Sequence, residues 1–198
     1  MLAATGVHAS LVPLAVAAVV TVIWRGGTIS AIGPLTLAAR LPVVVAVPTL
    51  LAVACAISHV APRTPVIVRS LRTVLARGVS HLTVLAGGLA IVLLGEVLSP
   101  ASTLGAATRN LMVLGAAALL VAAFAGPAYA WVPVLVLFGT GVLSNPDEAT
   151  WSVHALLMTP TAQPIQLAVT VPVCLFAVLV AALDPLDRAY LSRRGRRG

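Results

Sequence analysis

Few side chains in this sequence could do chemistry inside an apolar setting. Glu96 follows Gly95 near the end of a long apolar run. An ionisable group at membrane depth is costly and often functional, so Glu96 either lines a pathway or sits near enough to the interface to reach water. Trp151 and His154 stand three residues apart, so on a helix they share a face. His59 and His81 flank a basic segment and are expected at the inner membrane surface, as interfacial polar residues or, alternatively, as pH-sensitive groups. Cys55 and Cys174 lie inside apolar runs, without metal-type spacing, and read as small hydrophobes.

Other chemistry is excluded by what the chain lacks. A phosphate-binding loop of the GxxxxGK[ST] form needs a lysine, and the chain has none. HExxH and GxSxG are absent, and the five acids are too scattered for metal-dependent phosphoryl transfer. No catalytic residue, metal ligand or cofactor of its own is expected.

The elements that must position these residues follow from composition. Hydrophobic residues make up 60% of the 198 and charged ones 9%, against about 25% charged in a soluble domain. An exterior that apolar suits lipid rather than water. The net charge of +7 comes from twelve Arg against five acids. The Arg fall in loops beside apolar runs, as membrane topology expects, so nucleic acid is not an expected partner.

The expected fold is an all-α integral membrane protein of one domain, 1–198. Its six expected spans are about 7–24, 41–59, 79–98, 111–127, 129–144 and 164–183. Gly126-Pro127 divides the apolar stretch Leu111–Ser144 into two. Pro13, Pro42, Pro48, Pro133 and Pro172 fall within spans, where neighbouring helices satisfy the freed carbonyls. No basic residue precedes the first run, so it is expected to remain as a helix rather than act as a cleaved signal.

Two segments outside the spans are amphipathic. In 61–78, Thr64 is suited to cap a helix, Pro65 to its first position and Gly78 to its end. At about 100° per residue, Ile67, Leu71, Val74 and Leu75 share one face, with Arg69, Arg72 and Arg77 opposite. This helix either meets anionic lipid or docks a cytoplasmic partner. In 144–164, Asn145 and Pro146 start a short helix, with Asp147 and Glu148 at its positive end. Trp151, Ala155 and Met158 continue it at helical spacing.

Six short spans, a basic helix between the second and third, and a capped segment between the fifth and sixth resemble the membrane (permease) subunit of a type-2 ABC exporter. The stretch RNLMVLGAAALLVAAFAGPAYAWVP, Arg109–Pro133, is similar to small permeases of GC-rich bacteria. The resemblance implies a multi-pass protein of the bacterial cytoplasmic membrane, with both termini cytoplasmic. It implies a coupling helix at Thr64–Gly78, with Thr64, Arg69, Arg72 and Arg77 toward a cytoplasmic ATPase subunit that holds ATP and Mg. It also implies a second permease copy or a related permease, as homo- or heterodimer. Near the outer exit, Glu96, Trp151 and His154 would line the path of an amphipathic or apolar substrate: a natural product, peptide or lipid. The chain departs from the family in entering its first span almost at once and in lacking an acid just before the coupling helix. Two other readings stay open: an accessory or assembly subunit of a larger membrane complex, and a membrane enzyme or sensor using Glu96 or the histidines.

Topology is directly testable. Segment 60–78 and the tail carry nine Arg, against Arg25, Arg40 and Arg109 on the other side. Cysteine probes at Ser70 and Ser192 are expected to be inaccessible from outside intact cells, and one at Thr150 accessible. Labelling at Ser192 would rule out six spans with both ends inside.

Overall fold

The computed structural model describes residues 7–32, 35–58, 71–99, 105–143, 157–159 and 161–183. Helix α1 covers Val7–Ile23, α2 Val43–Ile57, α3 Leu71–Leu98, α4 Ala106–Ala125, α5 Trp131–Leu143 and α6 Pro164–Leu183. An apolar chain in lipid has no water to meet its backbone, so it forms elements whose hydrogen bonds close internally. Helices α3, α4 and α6 are long and apolar enough to cross a membrane, whereas α1, α2 and Pro127–Gly141 are shorter apolar helices. Large apolar side chains face outward on several helices: Val12 and Ile23 on α1, Val97 on α3, Trp131 on α5, Val169 and Phe176 on α6. That exterior is compatible with lipid, and the protein is a membrane protein.

Proline and glycine set several helix ends. Pro42 lies just before α2, and Pro164 is the first residue of α6, where a missing N–H costs nothing. Gly126 ends α4 at φ 103°, its N–H donating to the Val121 and Ala122 carbonyls. A Cβ there would meet nothing within 4 Å. Backbone conformation, not space, therefore calls for glycine. A 3-10 turn, Pro127–Tyr129, then leads into α5.

Two features differ from the sequence expectation. The expected fold was all-α, with no element assigned between the spans at about 7–24 and 41–59. Instead β1, Thr28–Ile32, pairs antiparallel with β2, Leu35–Pro42, so the fold is not purely helical. Thr28 pairs with Pro42 and Ile32 with Leu35, with an irregularity between Ile29 and Ala31. The β-branched Thr and Ile of β1 suit a strand, and the hairpin meets the backbone bonding needs of the segment. The second difference is in α3. Gly78 was expected to end a separate amphipathic helix, but it lies inside one helix of 28 residues. Nothing in Leu71–Gly78 forces a break, because an isolated glycine inside a helix costs only about 1 kcal/mol.

Helix α4 is the central element, packed on α2, α3, α5 and α6. The largest core cluster joins Leu111, Ala116 and Leu119 of α4 to Leu51 and Cys55 of α2. Val84 and Val92 of α3 and Cys174 and Ala177 of α6 complete it. Small residues allow close approach without a hydrophobic drive between helices. The contacts also fix direction. Ser10 of α1 donates to the Ala54 carbonyl near the end of α2. Ser58, after α2, lies 2.8 Å from His81 of α3. A Cβ on Gly78 would lie 3.8 Å from Ala182, near the end of α6. The start of α3 and the end of α6 therefore share one end of the bundle, and the residues before Gly78 extend about 10 Å beyond that level.

The tightest helix approach is at Gly95, where a Cβ would fall 2.7 Å from Thr21 Cγ2 and 3.3 Å from Val44 Cγ1. Gly95→Ala is expected to destabilise by about 1–3 kcal/mol through overpacking. Gly87→Ala, whose Cβ would meet Leu14 at 3.8 Å, should stay within about 0.5 kcal/mol. Thermal denaturation of both variants in lipid discs checks this. Equal behaviour would remove the close-approach argument.

Candidate functional site: a buried arginine cluster

The site lies at the other end of the bundle, where α3 finishes and α4 and α6 begin. Helix α4 follows Gly105, whose φ of 74° is left-handed and which has no side chain to cap the helix. The first N–H groups of a helix lack internal partners. Glu96 supplies one: its Oε1 accepts from the backbone N–H of Ala107 at 2.9 Å and of Thr108 at 3.2 Å. A carboxylate there also complements the positive end of the helix dipole. Glu96 thereby ties the end of α3 to the start of α4.

Arg109 follows one turn into α4 and is fully buried, at 0% exposure. Its Nε donates to Asn110 Oδ1 at 3.2 Å, and Nη2 donates to the same oxygen at 3.0 Å. Nη2 also donates to the Thr159 carbonyl at 3.0 Å. Nη1 reaches Thr159 Oγ1 at 2.8 Å, Gln166 Oε1 at 3.1 Å and the Thr161 carbonyl at 3.2 Å. A guanidinium has five N–H groups, so these six contacts include at least one shared hydrogen. Asn110 extends the cluster, its Nδ2 donating to the Leu157 carbonyl at 2.8 Å and, at 3.4 Å, to the Val45 carbonyl.

Every hydrogen-bond acceptor of Arg109 among the described residues is therefore neutral. Glu96 acts on it only through space. The arrangement binds α2, α3, α4, the 157–161 segment and α6 at one point. Thr108 Oγ1 is buried close by in sequence and has no hydrogen-bond partner among the described residues.

Comparisons with protein-family models, with curated proteins and with solved structures each return no match. The chemistry must be read from the geometry. Among the described residues, no group of three His, Cys, Asp or Glu could hold a metal ion.

The residues singled out from sequence fare unequally. Glu96 is half-buried, with one oxygen engaged as a helix cap. Arg72 is exposed in the first turn of α3 and Arg77 is half-buried one turn further on. Thr64, Arg69, Trp151 and His154 lie outside the described residues, as does His59. His81 is not at a surface: it is buried beside Ser58. Arg109 was counted with the outer loops and instead anchors the site. Its signal in the sequence is a pair of strongly polar residues, Arg109-Asn110, opening an apolar run, with Thr159, Thr161 and Gln166 clustered around another span's start.

Glu96→Gln keeps the accepting oxygen and loses the charge. A loss of about 0.5–1 kcal/mol is expected, from the dipole and the attraction to Arg109. Glu96→Ala removes the cap altogether and should cost about 1–2 kcal/mol. Denaturation in lipid discs gives the order. Glu96→Gln as damaging as Glu96→Ala would show that charge, not the cap, is what the site needs.

Proposed function

We propose that the chain is the permease subunit of an ATP-driven exporter, with six helices crossing the bacterial cytoplasmic membrane and both termini on the cytoplasmic side. One observation carries this reading: α3 runs unbroken from Leu71 to Leu98 and starts beyond the end of α6. At about 1.5 Å per residue it is about 42 Å long, against a hydrocarbon core of about 30 Å. Its first turns present Arg72 together with exposed Leu71, Leu75 and Val79. A partner pressing on that end would move the same rigid rod that packs against α1, α2, α4 and α6.

The arrangement of ends supports the topology. The start of α3, with Arg72 and Arg77, and the end of α6 share one end of the bundle, and the Arg109 cluster lies at the other. Arginine-rich ends face the cytoplasm. The partner would be an ATPase subunit carrying ATP and Mg, acting on a homo- or heterodimer of permeases. The substrate would be amphipathic or apolar, passing near Glu96 and the segment that carries Trp151 and His154.

Two variants test the coupling. Replacing Arg69 and Arg72 with Glu should weaken co-purification of the ATPase while membrane insertion is kept. Gly78→Pro breaks the rod at about 3 kcal/mol or more. It should leave the ATPase bound but abolish substrate-stimulated ATP hydrolysis. Full ATPase recovery and full stimulation in both variants would leave α3 as a lipid-facing helix without a coupling role.

A further inference from the structure

We infer that Arg109 is a closed recognition site for the head of an amphipathic anion, a phosphate or carboxylate carried on an acyl chain. The starting point is a buried cation whose described acceptors are neutral. A buried charge is stable when paired and hydrogen-bonded; here neutral acceptors supply the hydrogen bonds, and Glu96 attracts Arg109 through space without a hydrogen bond to it. Charge-assisted bonds to an anion are roughly twice as strong as neutral ones. An anion at this place would replace weaker partners with stronger ones.

The geometry indicates which partners would yield. The planar guanidinium fork presents Nη1 and Nη2 together, the edge that takes a carboxylate or phosphate in two parallel bonds. On that edge sit the Thr159 hydroxyl and carbonyl and the Thr161 carbonyl. Both residues precede α6, and Thr161 is exposed. Gln166 lies within α6 and Asn110 within α4. The two helical partners can stay while the contacts of Thr159 and Thr161 are replaced, so Asn110 still orients Nε and Gln166 still holds Nη1. Thr159 and Thr161 are the cover of the site and its internal competitors.

An apolar cluster lies alongside. Leu41, Val45 and Ala106 form a buried apolar cluster, with Ile29, Phe138 and Met158 packed on it. Met158 precedes Thr159, and the Val45 carbonyl accepts from Asn110. A cation bordered by an apolar cluster fits an amphipath better than a small free anion. The proposal relies on the export reading only in calling this ligand a substrate, because binding needs no ATPase.

The test uses the whole protein in phosphatidylcholine discs, titrated with decyl phosphate or with decanol and read by native mass spectrometry. Wild type should retain one decyl phosphate and prefer it over decanol by about tenfold, the equivalent of about one charge-assisted bond. Arg109→Gln should abolish the preference, and Arg109→Lys, with charge but no fork, should keep part of it. Thr159→Ala removes a competitor and leaves Arg109 in place, so it should bind decyl phosphate several-fold more tightly. That variant keeps the test sharp should Arg109→Gln fail to fold. Repeating the titration in phosphatidylglycerol discs separates two sources of the same chemistry. Loss of decyl phosphate binding there identifies a bilayer lipid as the occupant, and its retention identifies a free amphipath. Equal retention of decyl phosphate and decanol by wild type, or an unchanged affinity in Thr159→Ala, overturns the proposal whatever the protein transports.

Discussion

A guanidinium removed from water must find its hydrogen-bond acceptors within the protein, and that need organises one end of this bundle. Arg109 and Asn110 draw on α2, the 157–161 segment and α6, while Glu96 of α3 caps the helix that carries them. Leaving one such buried group unsatisfied costs about 1–3 kcal/mol, and more for a charged one. The segments that meet these needs are therefore held in register with one another. Apolar packing alone would not select this register so sharply, because lipid tails compete with side chains on nearly equal terms.

The opposite end is built differently. There Ser58 and His81 form a buried polar contact between α2 and α3, and the first turns of α3 project past α6 with apolar side chains exposed. Between the two ends the helices touch through alanine, valine, leucine and cysteine side chains, with Pro48 inside α2 and Pro172 inside α6. A proline removes one intrahelical bond and leaves a preferred point of bending. The bundle thus joins an end held by the Arg109 cluster to an end from which the first turns of α3 project.

Much of this was legible in the sequence, for physical reasons that also explain what was missed. Helix limits such as Pro164–Leu183 follow from the length of an apolar run and from proline at its first position. The division at Gly126 follows from a backbone conformation that favours glycine. The hairpin at Thr28–Pro42 escaped notice because a short polar-to-apolar stretch next to a span carries no strong period. The continuity of α3 escaped because Gly78 after a basic amphipathic turn has the composition of a helix end. At that position neighbouring turns, not composition, decide.

Arg109 shows the deeper limit. Charge counting treats every arginine beside an apolar run as a topological marker, which is correct for those that reach water. Whether one does depends on acceptors roughly fifty residues away, at Thr159, Thr161 and Gln166. Removing Arg109 from the outer tally leaves nine basic residues on the proposed inner side against Arg25 and Arg40, which strengthens the orientation argument. The same residue thus changes role when the fold is seen. It stops being a weak objection to the topology and becomes the point that joins α4 to the start of α6.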